Sequence, residues 1–148
     1  MISCDTNLVI YAYDNRNLVK QSTARTVLEA LSAKGAVIGL QVVSEVQNAL
    51  RRRLKTPAAI ACEAAAALLT EFDSFAYDER AVSIALTEAI AGRLSYWDAL
   101  LLAAADAAGV RTMVSEDMAD GLRFGQLEVV NPFGASGPGE RLKALLAS

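Results

Sequence analysis

Residues 1–7 of the chain are Met-Ile-Ser-Cys-Asp-Thr-Asn, and this stretch decides the fold into which the other segments must fit. The run 1–4 predicts a short β-strand, and Asp5 follows it directly. The same order recurs at 110–117, where Val-Arg-Thr-Met-Val precedes Ser-Glu-Asp. Because the carboxyl ends of parallel strands meet at one edge of a sheet, the sequence predicts Asp5 and Asp117 at the edge where open α/β sheets bind ligands.

Between these stretches, β-like runs alternate with longer helix-like segments. This order predicts an α/β fold in which a parallel-stranded central sheet is flanked by helices on both faces. The predicted strands cover residues 1–4, 36–40, 74–77, 110–114 and 127–130. The predicted helices, several of them bounded by Gly or Pro, cover residues 18–34, 44–54, 57–72, 78–92, 95–108 and 140–147.

The length of 148 residues fits one ordinary domain. We assign residues 1–133 to the α/β domain and residues 134–148 to a Gly/Pro linker with a short C-terminal helical tail, treated as an appendage. Hydrophobic residues make up 53% of the chain, which is enough to bury a core and excludes intrinsic disorder.

The composition removes several kinds of catalytic site. The chain has no histidine, which excludes imidazole-based triads, histidine-based ribonuclease chemistry and imidazole-ligated zinc. Its two cysteines, Cys4 and Cys62, are too few and too far apart for a thiolate zinc site, and they are interpreted as inert thiols of a reducing compartment. Oxygen chemistry therefore remains.

The sequence also bounds the location and the partners of the protein. No apolar stretch reaches the ~20 residues that span a bilayer, so we expect no membrane segment and a cytoplasmic protein. With 14 basic and 17 acidic residues, the net charge is −3. This balance argues against a broad basic face for duplex DNA, so any contact with nucleic acid must be local.

Three acids at predicted strand ends or helix starts each allow two interpretations. Asp5, Glu45 and Asp117 would all lie near the ligand-binding edge of the sheet. Each position also suits helix capping or the first turn of a helix, with Ser44 and Ser115 as caps for the second and third. These interpretations are compatible, and none of the three acids alone decides the function.

Asp98 is the acid that favours a site. On the helix predicted from Ser95, its neighbours at the i+3, i+4 and i+7 positions are apolar, so its carboxylate lies in line with an apolar stripe. An unpaired charge there would cost several kcal/mol. The alternative is a capping box between Ser95 and Asp98 that keeps the carboxylate at a solvated helix end.

A bound cation explains the four acids together better than four separate caps. Two carboxylates about 5 Å apart repel by roughly 3 kcal/mol at an effective dielectric near 20. Oxygen ligands without nitrogen or sulfur indicate Mg²⁺ or Mn²⁺, which commonly partner phosphate oxygens. Metal-assisted phosphodiester hydrolysis needs no histidine and fits this set.

Four blocks of the sequence resemble PIN-domain ribonucleases, especially VapC-type toxins of bacterial toxin-antitoxin pairs. The blocks, which span 1 to about 133 in the family order, are residues 1–11, 44–50, 96–105 and 115–118. The resemblance implies that Asp5, Glu45, Asp98 and Asp117 are the catalytic, metal-binding quartet. It also implies that Ser115 is the family's small hydroxyl residue near the site.

The same resemblance implies an activity and partners. It implies Mg²⁺- or Mn²⁺-dependent cleavage of single-stranded or structured RNA, a homodimer, and a cognate antitoxin that inserts a basic side chain among the acids. The last block contains Glu116 and Asp117, and Asp120 follows it, so the identity of the fourth acid is left open between these three.

Basic and aromatic residues near the acids have two interpretations as well. Arg51, Arg52, Arg53 and Lys55 could neutralise RNA phosphates, but cations also suit a helix C-terminus, and we favour a solvated helix end. All three arginines cannot share one helix face. Trp97 could stack on a base, although an interior tryptophan is the commoner arrangement.

Two other functions fit an acidic pocket on an α/β sheet. One is a Mg²⁺-binding phosphoacceptor or signalling domain, which by resemblance to receiver domains requires a lysine after a late strand; residues 128–133 contain none. The other is an inactive PIN-like module kept for dimerisation or partner binding.

Overall fold

A computed structural model describes residues 1–148, and its secondary structure follows the predicted alternation. The strands are β1 (Ile2–Cys4), β2 (Val37–Gly39), β3 (Asp73–Phe75), β4 (Thr112–Val114), β5 (Arg123–Phe124) and β6 (Leu127–Val130). The helices are α1 (Thr6–Tyr11), α2 (Leu18–Ala33), α3 (Leu40–Arg53), α4 (Ala58–Glu71), α5 (Glu79–Ala91), α6 (Tyr96–Ala107) and α7 (Glu140–Ala147).

The sheet is mostly parallel and is flanked by helices, so the predicted α/β class is confirmed. Strands β1, β4 and β6 run parallel in that order, and β5 adds an antiparallel edge to β6. Strands β2 and β3 form a separate parallel pair, with β2 lying against β1. Two elements were not predicted, α1 and β5, and both are too short to show a periodic pattern.

The core holds the central strands rigidly in place. Leu31, Ile38, Leu50, Leu102 and Met113 are fully buried, and they come from helices and strands that are distant in sequence. Each fully buried side chain of this kind stabilises the fold by about 1.5–3 kcal/mol relative to its exposed state. The parallel pairing of Cys4 with Val114 sets the separation between the ends of β1 and β4, which Asp5 and Ser115 directly follow.

Helix α3 begins four residues earlier than predicted. The helix start expected at residue 44, with Ser44 as its cap, is wrong, because the chain turns into the helix directly at Gly39, without a side-chain cap. The inward-facing Val42, Val43 and Val46 are buried and already satisfy a helical spacing from Leu40 onward. Glu45 consequently lies in the second turn of α3.

The C-terminal segment packs on the domain, although we expected an appendage. Leu142 of α7 is fully buried in the main core. Arg141 forms ion pairs with Asp120 and Glu128, and Lys34 Nζ donates to the Ser148 carbonyl oxygen at 2.6 Å. Residues 134–148 thus contribute to the same hydrophobic core as the strands.

None of the seven helices combines the length and the apolar content that a membrane crossing requires.

Gly125, in the turn between β5 and β6, provides a stability test of this fold. Its φ is +58°, and a β-carbon there would lie 2.2 Å from Asp106 Oδ2. The left-handed backbone costs other residues about 1–2 kcal/mol, and displacing Asp106 from its 3.0 Å hydrogen bond with the Gln126 amide costs about 1 kcal/mol more. We expect Gly125→Ala to lower the free energy of unfolding by about 2–3 kcal/mol in urea denaturation.

Gly35→Ala is the matched control, because Gly35 has a φ of +69° and open space around its α-carbon. It should show the backbone cost alone. Equal losses in the two variants would contradict the role given to Asp106.

Candidate active site

Asp5 and Ser115 lie side by side at the ends of two neighbouring strands. Cys4 pairs with Val114 in the parallel register of β1 and β4, which brings the next residue of each strand to the same edge. Ser115 Oγ donates to Asp5 Oδ2 at 2.5 Å. Asp5 Oδ1 also accepts from the Leu8 amide at 3.4 Å and caps α1. The capping and site interpretations of Asp5 therefore both describe the structure.

Glu45 is held by two neutral donors on the wall formed by α3. Thr6 Oγ1 donates to Glu45 Oε2 at 2.7 Å, and Gln41 Nε2 donates to Glu45 Oε1 at 3.0 Å. Gln41 Nε2 also donates to the Trp97 carbonyl oxygen at 3.0 Å. Because Nε2 faces two acceptors, the orientation of the Gln41 amide is settled, and Glu45 is fixed relative to the start of α6.

Asp98 lies in the first turn of α6, half-buried. The Ser95 hydroxyl accepts from the Asp98 amide at 3.1 Å, so the predicted cap is present. The residues in line with Asp98, namely Leu101, Leu102 and Ala105, are buried as the stripe predicts. The carboxylate of Asp98 lines a cavity beside this apolar stripe.

The loop after β4 separates the three acids between which the sequence left the choice open. No helix follows β4, so the first-turn interpretation of this segment is wrong. Glu116 pairs with Lys20 at 2.7 Å, and Asp120 pairs with Arg141 at 2.9 Å. Asp117 accepts from Asn7 Nδ2 and is the acid of the three that lines the cavity with Asp5.

All four predicted acids line one cavity of about 490 Å³ at this edge of the sheet. Four short segments that are far apart in sequence supply its walls. The lining residues are Asp5, Thr6, Asn7, Gln41, Glu45, Asn48, Ala49, Arg52, Arg53, Trp97, Asp98, Leu101 and Asp117.

The acids of this cavity carry negative charge without a cationic partner. None of the four forms an ion pair within the chain. Burial, with smaller contributions from Asp117 and Asp98, raises the pKa of Asp5 to about 7, although hydrogen bonds from Ser115 and the Leu8 amide oppose this shift. Burial also raises the pKa of Asp98; a hydrogen bond with the Ser95 side chain opposes this shift, and Asp117 and Glu45 add to it. The cavity therefore favours a bound positive charge.

The donor set fits a hard divalent cation. Every candidate ligand is a carboxylate, amide or hydroxyl oxygen, which suits Mg²⁺ or Mn²⁺. In the present conformation, no three acidic side chains lie close enough to form one ligand shell. Asp5, Glu45 and Asp117 each accept a hydrogen bond from a neutral donor instead. The metal stays a prediction.

The structure brings in residues that the sequence did not assign to the site. Arg52 and Arg53 line the cavity, and Arg53 Nη1 donates to Asn7 Oδ1 at 2.8 Å, whereas Arg51 lies outside it. The expected separation of the three arginines is thus observed. Trp97 is 59% exposed, so its interpretation as an interior residue is wrong.

A helical spacing from Glu45 is the signal that could have found part of this set. Four cavity residues share one face of α3 with Glu45. Gln41 lies four residues before Glu45, and Asn48, Arg52 and Arg53 lie three, seven and eight residues after it. Thr6 and Asn7 directly follow Asp5.

Comparisons with known proteins place this arrangement in a recognised fold. No protein-family model and no curated protein matches the chain. Among solved structures, VapC20 of Mycobacterium tuberculosis, a sarcin-ricin loop cleaving toxin, is 19% identical with a TM-score of 0.60, over 76% of this chain and 87% of that one.

Two toxin-antitoxin complexes are similar as well. A chain of VapBC2 from Rickettsia felis, bound to a DNA fragment from their promoter, has 18% identity and a TM-score of 0.65 over 88% of this chain and 98% of that one. A chain of the Klebsiella pneumoniae toxin-antitoxin complex has 17% identity and a TM-score of 0.62 over 90% of this chain and 98% of that one. The chain therefore has the PIN-type fold of VapC toxins, as the four sequence blocks predicted.

Proposed function

From a PIN-type fold that gathers four acids around one cavity, we propose that the protein is a metal-dependent endoribonuclease acting as the toxin of a toxin-antitoxin pair. The observation that carries this proposal is the set of Asp5, Glu45, Asp98 and Asp117, which line one cavity without any cationic partner. The fold shared with a sarcin-ricin loop cleaving toxin supports RNA as the substrate.

The four acids would hold Mg²⁺ or Mn²⁺, with Asp5 as the buried ligand. A bound divalent ion supplies a Lewis acid for the phosphate oxygens and lowers the pKa of a bound water. The neutral donors Thr6 and Ser115 orient Glu45 and Asp5. Such outer contacts typically change metal affinity or activity by about 10- to 100-fold when they are lost.

Arg52 and Arg53 would contribute positive charge for the RNA backbone. Both line the cavity without pairing with its acids, so their charges are free for phosphate oxygens. An acidic ligand set beside two arginines suits a phosphodiester better than a neutral substrate. We therefore assign these arginines to substrate binding.

The proposed partners are a cognate antitoxin and a second copy of the chain. A basic antitoxin side chain in the cavity would offset the carboxylate repulsion and displace the metal. The structural neighbours include toxin-antitoxin complexes. Ile90 of α5 is 89% exposed, and Ile60 and Leu69 of α4 are also exposed, which offers apolar surface for a homodimer.

The phosphoacceptor alternative gains no support from the cavity. By resemblance to receiver domains it requires a lysine at the site, and no lysine lines this cavity. A cleavage assay distinguishes the nuclease from the other alternative, an inactive PIN-like module.

Cleavage of total RNA tests the proposed function directly. Purified protein is incubated with total RNA in Mg²⁺ or Mn²⁺, or in chelator, and the new 5′ ends are mapped. We expect discrete cuts that require the added metal, and growth arrest when the protein is expressed without an antitoxin. RNA left intact in both metals would overturn the nuclease proposal and favour the inactive module.

Thermal unfolding tests metal binding by Asp5 without relying on activity. Because a bound ion offsets carboxylate repulsion, Mn²⁺ at 100 times its Kd should stabilise the wild type by about 2.7 kcal/mol. Asp5→Asn keeps a cap for α1 but removes one charged ligand, so its melting temperature should rise less.

Glu63→Gln is the control for this measurement, because Glu63 is an exposed acid on α4. It should respond to Mn²⁺ like the wild type. Identical shifts in all three proteins would remove Asp5 from the ligand set.

A further inference from the structure

An exposed apolar groove lies directly beside the acidic cavity. It has a volume of about 590 Å³, and its apolar side chains are Leu40, Tyr77 and Trp97 with Ala76. Leu40 is 42% exposed, Tyr77 50% and Trp97 59%. The groove and the cavity share Gln41, Glu45 and Trp97 as lining residues, so a ligand bound in one space would lie next to the other.

Helix α3 spans the distance between this groove and the basic end of the cavity. Gln41, Glu45 and Arg52 lie along one helix face, separated by four and seven residues. At 1.5 Å rise per residue, Gln41 and Arg52 are about 16 Å apart along the helix axis. The wall therefore runs from an aromatic end, past the acids, to a cationic end.

This order of surfaces matches the chemistry of a single nucleic-acid strand. Phosphates carry the negative charge that Arg52 and Arg53 complement, and bases carry flat apolar faces that stack on aromatic rings. A paired base has both faces covered within the duplex, so only an unpaired base can use the groove.

We propose that the groove lined by Leu40, Tyr77 and Trp97 binds an unpaired base of the RNA, stacked on Trp97 beside the acidic cavity. This inference rests on the proposed nuclease function and adds a base-binding subsite to it. Tyr96 packs edge-on against Trp97, with ring centroids 5.1 Å apart, and supports the Trp97 ring from one side.

Gln41 connects the base subsite to the catalytic acids. Its Nε2 joins the Trp97 carbonyl to Glu45, and its Oε1 is buried without a hydrogen-bond partner. Gln41 is therefore a positioning residue that keeps the aromatic platform in register with Glu45.

The fluorescence of Trp97 can be used to detect binding in the groove, because Trp97 is the single tryptophan of the chain. The Asp98→Asn protein, kept in Mg²⁺, is titrated with a short mixed-sequence oligoribonucleotide, either single-stranded or annealed to its complement. We expect a saturable change in tryptophan emission with the single strand and little change with the duplex. An equal change with both forms, or bound single strand without any change, would overturn the proposal.

Affinity measurements with fluorophore-labelled RNA complete the test. Loss of one stacked base weakens binding by roughly 5- to 150-fold, so Trp97→Ala should lose that factor for the single strand, and Trp97→Phe should retain most of the affinity. Leu86→Ala removes a similarly exposed apolar side chain from α5, 53% exposed against 59% for Trp97, and should bind like the parent. Unchanged affinity in Trp97→Ala would overturn the subsite.

Two further measurements separate the competing explanations. Analytical ultracentrifugation should show that Trp97→Ala has the same oligomeric state as the parent protein. If Trp97→Ala instead dissociates into smaller species, the groove is a contact between copies of the chain and not a base subsite. Cleavage of RNA by the wild type is measured independently. If the wild type cleaves RNA and Trp97→Ala binds it with unchanged affinity, the subsite is wrong and the nuclease proposal stands. If the base stacks on Trp97 and the wild type does not cleave RNA, the nuclease proposal is wrong and the subsite stands.

Discussion

Asp98→Asn is expected to lower metal-dependent RNA cleavage by about 100- to 1000-fold, the equivalent of several kcal/mol of transition-state stabilisation. Asp98 is half-buried beside an apolar stripe, and the repulsion from Asp117 and Glu45 that helps raise its pKa is relieved by a cation. The substitution keeps the shape of the side chain and removes one negative charge from the cavity. The rate is measured on labelled RNA with saturating Mn²⁺.

The fold should survive this change, because the hydrogen bond that caps α6 uses the backbone amide of Asp98. The Asp98 amide donates to Ser95 Oγ, and asparagine leaves that bond intact. The control is Asp73→Asn, which makes the same chemical change on an exposed residue of β3. Wild-type activity in Asp98→Asn, or equal loss in both variants, would remove Asp98 from the catalytic set.

The positions of Asp5 at the sheet edge and of Asp98 beside an apolar stripe can be predicted from the sequence, because both depend on simple periodicities. Asp5 was predicted at the ligand edge from its place after a strand, and the parallel register of Cys4 and Val114 puts it there. Asp98 was singled out by its line of apolar neighbours, and those neighbours are buried. Both inferences use rules that hold over a few residues.

The contents of the cavity wall depended on tertiary contacts that no short pattern contains. The sequence identifies Glu45 as a site residue but places the start of its helix four residues too late, because Ser44 resembles a cap. Arg53 was assigned to a solvated helix end, since its contact with Asn7 joins residues 46 positions apart. The sequence favours an interior position for Trp97 because tryptophans are usually buried, and no short pattern shows that its ring is exposed.

The identity of the fourth acid can be tested by comparing substitutions of two neighbouring residues, Asp117 and Glu116. We expect the first to reduce activity and the second to reduce stability. Asp117→Asn is expected to lower RNA cleavage by about 100-fold or more, because it removes a charged group from the cavity that holds Asp5. The Asn7 side chain can still pair with the new amide, so thermal stability should change little.

Glu116→Gln makes the same loss of charge one residue earlier and should have the opposite profile. Glu116 points away from the cavity and pairs with Lys20 at 2.7 Å, while Tyr11 donates to it at 3.2 Å. Breaking this partly buried pair should cost about 1–2 kcal/mol, or roughly 2–8 °C in melting temperature for a domain of this size, with cleavage nearly unchanged. Since the two substitutions remove equal charge from one loop, a shared loss of activity would mean that the loop as a whole, and not Asp117, serves the site.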